Sequence, residues 1–199
     1  MVKKFKIFNS FNIPNKFKKS IILIGNFDGL HSGHQKLFEL AKKYKTKYKS
    51  KVGVVTFDPI PKMFFNTKIK NYRISNFNQK VIYLKKFGVD FVINKKFDKN
   101  FSKITYYKFI KDILSKKLKS KFIFVSNNFR FGHKREGDVA ILKKYEKDFG
   151  YNLINPTPLM KNKKIISSTI IRKLLEEGKL SKANTFLKRN WEIEGKVQR

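Results

Sequence analysis

Residues 20–44 restrict the fold of this chain more than any other stretch of its sequence. They open with four consecutive aliphatic residues, Ile21–Ile24, the composition of a strand that is buried on both faces. They end in an amphipathic helical pattern, whose apolar stripe is Leu37, Phe38, Leu40, Ala41 and Tyr44. Between the two lies the sequence GNFDGLHSGH, residues 25–34. A strand, a glycine-rich turn and a helix start in this order predict one unit of an α/β fold with a phosphate-binding turn.

The turn carries three glycines and two histidines, namely Gly25, Gly29, Gly33, His31 and His34. It is neither a P-loop, because no Gly-Lys-Ser/Thr follows, nor the dinucleotide pattern G-x-G-x-x-G. The two histidines are three residues apart, so a helix would place them on one face, as in a metal-binding pair. No third ligand accompanies them in the sequence. Contact with phosphate is therefore the favoured interpretation, with a metal site and purely structural histidines as the alternatives.

The rest of the chain alternates strand and helix patterns, which predicts a doubly wound α/β sheet. Strand patterns lie at residues 51–57, 90–94, 121–126 and 151–154, and residues 3–8 form a candidate edge strand. Helical stripes lie between them, at Phe77, Val81, Leu84 and Phe87, at Tyr106, Phe109, Ile110, Ile113, Leu114 and Leu118, and at Ile141, Leu142, Tyr145 and Phe149. Ligands of such sheets bind at the carboxyl ends of the strands, so the loops after these strands are the candidate site.

A second candidate phosphate site lies nearer the carboxyl end of the chain. Ser167, Ser168 and Thr169 precede a helical pattern that carries Arg172 one turn in. A single hydroxyl at a helix start is explained as an N-cap. Three hydroxyls together with an arginine favour an anion that is bound at the helix N-terminus.

Two carboxylates and one aromatic loop complete the candidate site. Asp28 and Asp58 lie in turns marked by glycine or proline at predicted strand ends. Asp58 is the candidate for Mg²⁺ or for a substrate hydroxyl, the alternative being a turn aspartate that binds its own backbone. Residues 128–131, Asn-Phe-Arg-Phe, suit a flat ring that is held by stacking and amide hydrogen bonds, unless both phenylalanines belong to the core.

Composition excludes several classes of protein. The 199-residue chain has no cysteine, so it has no disulfide framework or thiolate metal site, and no Ser-His-Asp set suggests a covalent nucleophile. No apolar run is long enough for a signal peptide or a membrane span, so we expect a cytoplasmic protein. The formal net charge of +33 comes mainly from lysines spread along the chain. Biased coding composition explains this charge better than a nucleic-acid-binding function, although it should attract anionic nucleotides.

Together, these motifs resemble the adenylyltransferase module of the bacterial FAD synthetase family, the bifunctional riboflavin kinase/FMN adenylyltransferases. Residues 25–34 resemble the family's form of the H-x-G-H signature of a nucleotidyltransferase superfamily, and residues 167–172, SSTIIR, resemble its second signature. Residues 56–61, TFDPIP, and residues 128–132, NFRFG, resemble family motifs on which the choice of substrate depends. The resemblance covers residues 17–197 and implies a Rossmann-like doubly wound parallel sheet.

The resemblance also implies a reaction of ATP with FMN that gives FAD and pyrophosphate, with Mg²⁺ as cofactor. The implied catalytic residues are His31, His34 and Arg172. The implied ATP-binding residues are Gly25, Asn26, Phe27, Asp28, Gly29, Gly33, Ser168 and Thr169. The implied flavin-binding residues are Asp58, Pro59, Asn128, Phe129, Arg130 and Phe131, and Asp58 is also the implied metal ligand. The alternatives are a superfamily enzyme with another phosphate acceptor, or an inactive protein that binds flavin or nucleic acid.

The chain departs from the family pattern at three places that bear on the site, one of which is Ser126, Asn127 and Asn128, where the family often has an acidic set. Ile60 stands where a histidine is usual, and Ile165 stands where a basic residue is usual, with Lys164 adjacent. The resemblance divides the chain into an adenylyltransferase domain, residues 1–188, and the remnant of a junction to a kinase domain, residues 189–199. We therefore expect no riboflavin kinase activity from this sequence, and a separate riboflavin kinase is the implied partner.

Overall fold

The computed structural model describes residues 5–69, 72–161 and 164–195. Six parallel strands form one sheet in the order β1-β4-β3-β2-β5-β6. They are β1 Lys6–Phe8, β2 Ile21–Ile24, β3 Val52–Asp58, β4 Phe91–Lys96, β5 Phe122–Phe124 and β6 Asn152–Ile154. β1 is the predicted edge strand, and residues 3 and 4 of that prediction lie outside the described residues. The order in which strands are added to the sheet reverses at β2. β3 and β4 lie on one side of β2, and β5 and β6 lie on the other.

Helices follow most of the strands. They are α1 Ser32–Tyr48, α2 Pro61–Phe65, α3 Phe77–Lys86, α4 Lys99–Ser102, α5 Tyr106–Lys108, α6 Val139–Lys144, α7 Glu146–Phe149, α8 Ser168–Glu176 and α9 Leu180–Leu187. The helix predicted from the stripe between Tyr106 and Leu118 is present, but α5 continues as a π-helix, Phe109–Lys117. Two short antiparallel strands that the sequence did not predict, β7 Met160–Lys161 and β8 Lys164–Ile165, precede α8.

The prediction of a single helix around residues 141–149 is wrong. The chain forms two short helices there, α6 and α7, which meet at Tyr145, where ψ is 8° rather than helical. The break allows the Glu146 carboxylate to accept a hydrogen bond from the backbone N–H of Leu153 in β6. A tertiary contact has therefore overridden the local apolar pattern.

Alternate residues of β2 face two separate hydrophobic cores. Ile21 and Leu23 belong to a core that includes buried side chains of α1 and α3. Ile22 and Ile24 belong to a core on the opposite face, which includes Ile110 of the π-helix. This burial on both faces is what the aliphatic run predicted, and the doubly wound α/β fold is confirmed.

A third, smaller core forms where α8 and α9 meet the segment before α3. It contains Ile74, Ile171, Ala183 and Leu187, with Trp191 packed against it. The indole N–H of Trp191 donates to the Ile74 carbonyl oxygen at 2.8 Å. The described part of the predicted junction, residues 189–195, is thus in contact with the preceding elements, whereas residues 196–199 lie outside the described residues. The boundary at residue 188 stays a prediction.

Candidate active site

The loop between β2 and α1 is wound tightly by three residues in the left-handed region of backbone space. These are Phe27 (φ 46°), Gly29 (φ 74°) and Leu30 (φ 41°). A Cβ atom on Gly29 would lie 2.9 Å from the Cγ2 atom of Ile74, so glycine is the residue that fits there without displacing a neighbour. The side chains of Phe27 and Leu30 are buried, which offsets the strain of their backbone. The loop therefore holds the start of α1 at the carboxyl end of β2.

His31 and His34 lie together at the start of α1. Their rings stack with centroids 3.7 Å apart and an interplanar angle of 21°. Gly33 permits this arrangement, because a Cβ atom there would lie 3.2 Å from ring atoms of His31. His31 is the N-cap residue of α1, yet its side chain makes no capping hydrogen bond. The structure thus brings both histidines of the motif to one place, with His31 free of the usual role of an N-cap side chain.

Both imidazoles are neutral at pH 7. Burial, together with the nearby Arg172 guanidinium, lowers the pKa of His31 to about 4. Burial, His31 and the Lys80 ammonium lower the pKa of His34 well below its ordinary value. The Nδ1 atom of each ring is buried and has no hydrogen-bond partner among the described residues. This favours the tautomer that carries its proton on Nε2, because an unpaired buried N–H is costly, so each ring offers one N–H donor.

The Asp28 carboxylate joins the first signature to two distant parts of the chain. It is buried and accepts hydrogen bonds from the backbone N–H groups of Ile74 (3.0 Å) and Ser75 (3.4 Å). It also accepts a hydrogen bond from the Arg172 guanidinium at 2.8 Å, so its buried charge is paired. Asp28 therefore fixes the loop against both α8 and the segment before α3, while a direct contact with ATP stays a prediction.

The serines of the second signature are also engaged by the protein. The Ser167 hydroxyl accepts a hydrogen bond from the backbone N–H of Ile170 at 3.4 Å, as an N-cap does. The Ser168 hydroxyl donates to the backbone carbonyl oxygen of Asp28 at 2.9 Å. Thr169, in contrast, is exposed in the first turn of α8. Two of the three hydroxyls are thus hydrogen-bonded within the protein, and the binding of an anion by all three stays a prediction.

Arg172 is held in a fixed position at the same junction. Its Nε atom donates to the Tyr72 carbonyl oxygen at 2.7 Å, and its guanidinium carbon lies 3.7 Å from the centroid of the Tyr72 ring. Together with the ion pair to Asp28, these contacts restrict the guanidinium to one orientation. The structure therefore brings the predicted catalytic arginine to the loop that carries the histidines.

The end of β3 supplies an ion pair rather than an isolated carboxylate. Asp58 accepts a hydrogen bond from the Arg73 guanidinium, and its side chain is 44% exposed. Pro59 follows, and Pro61 occupies the first turn of α2. Ile60, which replaces the expected histidine, is 3% exposed and is therefore buried rather than in solvent. Asp58 is consequently accessible to a ligand, but only in competition with Arg73.

The loop after β5 contains two stacked phenylalanines. The ring centroids of Phe129 and Phe131 are 5.5 Å apart, at 16° to each other, and Phe131 is buried in the core. Arg130 is exposed and pairs with Asp138 at 3.0 Å. Asn128 is exposed near the carboxyl end of β5, the strand next to β2. The buried position of Phe131 matches the core alternative, and the flavin-binding roles of this loop stay predictions.

Sequence reasoning missed two charged residues of the site, Arg73 and Lys80. Lys80 is 5% exposed and donates from its ammonium to the Asn26 carbonyl oxygen at 2.8 Å. The sequence does carry a signal for it, because Lys80 falls on the apolar stripe of α3 with Phe77 and Leu84, where a lysine is unexpected. Arg73 has no such signal, since it precedes the helix in an irregular segment.

Metal ligands are sparse at this site. The described residues contain no group of three or more His, Cys, Asp or Glu side chains that could hold a metal ion. Asp28 is engaged by backbone N–H groups and Arg172, and Asp58 is engaged by Arg73. A Mg²⁺ ion would therefore take most of its ligands from substrate phosphates and water, which is its usual mode of binding.

The fold and the site define a class of protein. A histidine-bearing turn lies where the parallel sheet reverses direction, and a second helix start with serines and an arginine is tied to that turn. The chain has the fold and the histidine signature, His31 to His34, of the H-x-G-H nucleotidyltransferase type.

Comparison with known proteins narrows this class. The family model described as FAD synthetase matches residues 13–170, and the chain belongs to the FAD synthetase family. The chain is 40% identical over 186 residues to a bifunctional riboflavin kinase/FMN adenylyltransferase of Buchnera aphidicola, which covers 94% of this chain and 59% of that protein. It is 30% identical over 188 residues to a FAD synthetase of Listeria monocytogenes, covering 93% of this chain and 75% of that one. The chain thus spans less than two thirds of its bifunctional relative.

A solved structure agrees with the described fold. The crystal structure of a protein named as a macrolide-efflux protein from Streptococcus pneumoniae has a TM-score of 0.81 and 28% identity. The match covers 94% of this chain and 70% of that one. Within residues 5–69, 72–161 and 164–195, no helix is long and apolar enough to cross a membrane.

Proposed function

We propose that this protein is an FMN adenylyltransferase, which converts ATP and FMN to FAD and pyrophosphate. A phosphate oxygen of FMN forms a bond to the α-phosphorus of ATP, and the bond from that phosphorus to the oxygen bridging to the β-phosphate breaks. The observation that carries the proposal is the union of the two signatures at the carboxyl end of β2, through Asp28 and Arg172. Since this reaction needs no protein nucleophile, positioning and charge stabilisation supply the catalysis.

The histidine pair would act on the phosphate that changes its bonding. His31 and His34 each offer one N–H donor, and the backbone at the start of α1 adds a positive dipole end. The backbone of residues 25–29 and Gly33 would surround the nucleotide. A preorganised donor aimed at charge that develops in the transition state accounts for about 10²–10³ in rate.

The start of α8 would hold the β- and γ-phosphates as pyrophosphate leaves. Thr169 is exposed there, and Ser168 fixes the helix to the first loop. Arg172 uses Nε and Nη2 in its hydrogen bonds with Tyr72 and Asp28. A guanidinium has five N–H donors, so the remaining ones can bind phosphate from an already fixed position.

The acceptor would enter between the loops that follow β3 and β5. Asn128, Phe129 and Pro59 are the candidates for holding the flavin ring, and Asp58 with Arg73 lies at the end of β3 as the candidate for meeting the FMN phosphate. Mg²⁺ bound to the ATP phosphates would neutralise part of their charge, with Asp58 as the exposed carboxylate of the site.

The bifunctional relatives are named for two activities, of which we assign one to this chain. The match to the FAD synthetase family covers residues 13–170, and the adenylyltransferase is assigned to that part. We expect a riboflavin kinase to supply the FMN, and the reaction to take place in the cytoplasm.

An acceptor panel tests the proposal. The purified protein is incubated with ATP and Mg²⁺ and, in separate reactions, with FMN, riboflavin, pantetheine phosphate or nicotinamide mononucleotide, and the products are identified by mass. We expect FAD from FMN, an equal amount of pyrophosphate, and no product from riboflavin. Transfer to another acceptor but not to FMN would refute the substrate, and transfer to none would refute the activity.

A further inference from the structure

Lys80 ties three elements together beneath the first loop of the site. Its side chain, on α3, is buried, and its ammonium donates to the Asn26 carbonyl oxygen (2.8 Å) and to the Thr56 hydroxyl oxygen (3.4 Å). The Thr56 hydroxyl, on β3, donates in turn to the same Asn26 carbonyl oxygen at 3.3 Å. The turn between β2 and α1 is therefore held in place by the charged Nζ atom of Lys80.

This ammonium has no ion-pair partner among the described residues, taking 4.0 Å as the limit. The two carboxylates whose charges act on Lys80 are Asp28 and Asp58. Their oxygens are engaged by Arg172 and Arg73, respectively. A buried charge without a paired counter-charge is strongly unfavourable in a folded chain. Its position directly behind the loop that is proposed to bind phosphate points to an anionic ligand on the other side of that loop.

We propose that Lys80 is a positioning residue for adenylyl transfer, which fixes the Asn26 carbonyl and places a positive charge under the loop that receives the ATP phosphates. The inference rests on the proposed function and deepens it. Lys80 acts through the loop rather than by contact with substrate, because Asn26 lies between them. The charge raises the local potential for a polyanion in a poorly solvated place, where it is weakly screened.

The pH dependence of kcat/KM tests the role of the positive charge on Lys80. Titratable or charged groups face Lys80 from each neighbouring element, namely Asp28 on the loop, Asp58 on β3, Arg73 before α3 and His34 on α1. Burial lowers the pKa of Lys80 to about 8, an effect that the two carboxylates oppose and Arg73 reinforces. The ammonium is charged below this pH and loses its proton above it. The value of kcat/KM, which reports the free enzyme, should therefore fall as the pH rises through about 8.

Two substitutions at Lys80 and one control separate its charge from its packing. Lys80→Arg keeps a cation above pH 8, because an arginine stays protonated in proteins. Lys80→Met keeps an unbranched apolar side chain and removes the charge. Lys45→Met is the matched control, since Lys45 also donates to a backbone carbonyl, that of Gly88 at 2.9 Å, but is paired with Asp90 away from the loop.

FAD formation and denaturant unfolding are measured for each purified variant of the 199-residue chain. We expect Lys80→Met to lower kcat/KM at pH 7 at least about tenfold while its unfolding midpoint is unchanged or higher, because an apolar group replaces a buried charge. We expect Lys80→Arg to retain activity and to lose the decline above pH 8. Lys45→Met should lower stability and leave the rate per folded molecule unchanged.

Three results would overturn the inference. Wild-type kcat/KM in Lys80→Met at pH 7 would show that the charge is dispensable. A decline above pH 8 that persists in Lys80→Arg would show that another group titrates, and this test holds even where Lys80→Met fails to fold. A wild-type protein that forms no FAD would refute the proposed function, and this inference with it. The first two results, in contrast, require an active wild-type protein, so they refute the role of Lys80 alone.

Discussion

Replacing Asp28 with asparagine tests whether one buried carboxylate holds the two signatures together. The side chains of Asp28 and Arg172 are 2% and 14% exposed, and their ion pair joins residues 144 positions apart in the chain. Asparagine keeps the size of the side chain but removes the charge. Its NH₂ group would also face an N–H group from which the carboxylate now accepts a hydrogen bond. Leaving the Arg172 guanidinium buried without its partner costs about 3–5 kcal/mol. For a chain of 199 residues this predicts a Tm lowered by roughly 6–20 °C.

Urea denaturation followed by circular dichroism measures the loss, with FAD formation recorded under conditions where the variant is folded. The matched control is Asp112→Asn, which removes an exposed pair with Lys116 on one helical turn and should cost at most about 0.5 kcal/mol. FAD formation should fall in Asp28→Asn and not in Asp112→Asn, because Arg172 loses its anchor in the first variant only. A loss of stability below about 1 kcal/mol in Asp28→Asn would refute the reasoning, since the pair would then behave like a surface ion pair.

Three further predictions follow from the geometry of the loop. Gly29→Ala should lower the free energy of unfolding by more than Gly88→Ala. Both positions have positive φ, which strains an alanine by about 1–2 kcal/mol, but only a Cβ atom at Gly29 contacts Ile74. Equal losses in urea denaturation would contradict this prediction. The free energy of unfolding should also fall as the pH drops from 6.5 towards 4, by about 1.4 kcal/mol per pH unit for His31, and His34 should add to this fall because burial lowers its pKa as well. The unfolded chain binds protons in this range that the buried rings do not, so a double His→Gln variant should show a shallower slope, and an unchanged slope would count against buried neutral histidines. Finally, His31→Ala and His34→Ala should each lower FAD formation by about 10²-fold or more with the fold intact, and near-normal rates in both would remove the pair from the mechanism.

The sequence predicted those features that depend on neighbouring residues. The aliphatic run Ile21–Ile24 specifies a strand buried on both faces, and the glycine-rich sequence after it indicates a tight turn, in which Gly29 has positive φ. The histidine spacing alone places both rings at one helix start. Each of these signals is contained within about ten residues, so it survives in a single sequence.

Features that depend on distant residues could not be predicted in this way. The pairing of Asp28 with Arg172 and the bond from Trp191 to Ile74 depend on tertiary packing, and nothing in the local sequence indicates either partner. The π-helical segment Phe109–Lys117 has an apolar stripe that an α-helix would share, so its hydrogen bonding was not visible. The burial of Lys80 was not predicted because the chain contains many lysines, although its place on an apolar stripe distinguishes it from the others.

The most direct test of the central claim follows the α-phosphorus of ATP. The protein is incubated with FMN, Mg²⁺ and ATP labelled at its α-phosphorus, and the labelled products are separated and counted against the pyrophosphate released. The account predicts label in FAD, in an amount equal to the pyrophosphate, and none in product when riboflavin replaces FMN. Label that stays in ATP, or that appears in AMP without FAD, would contradict it.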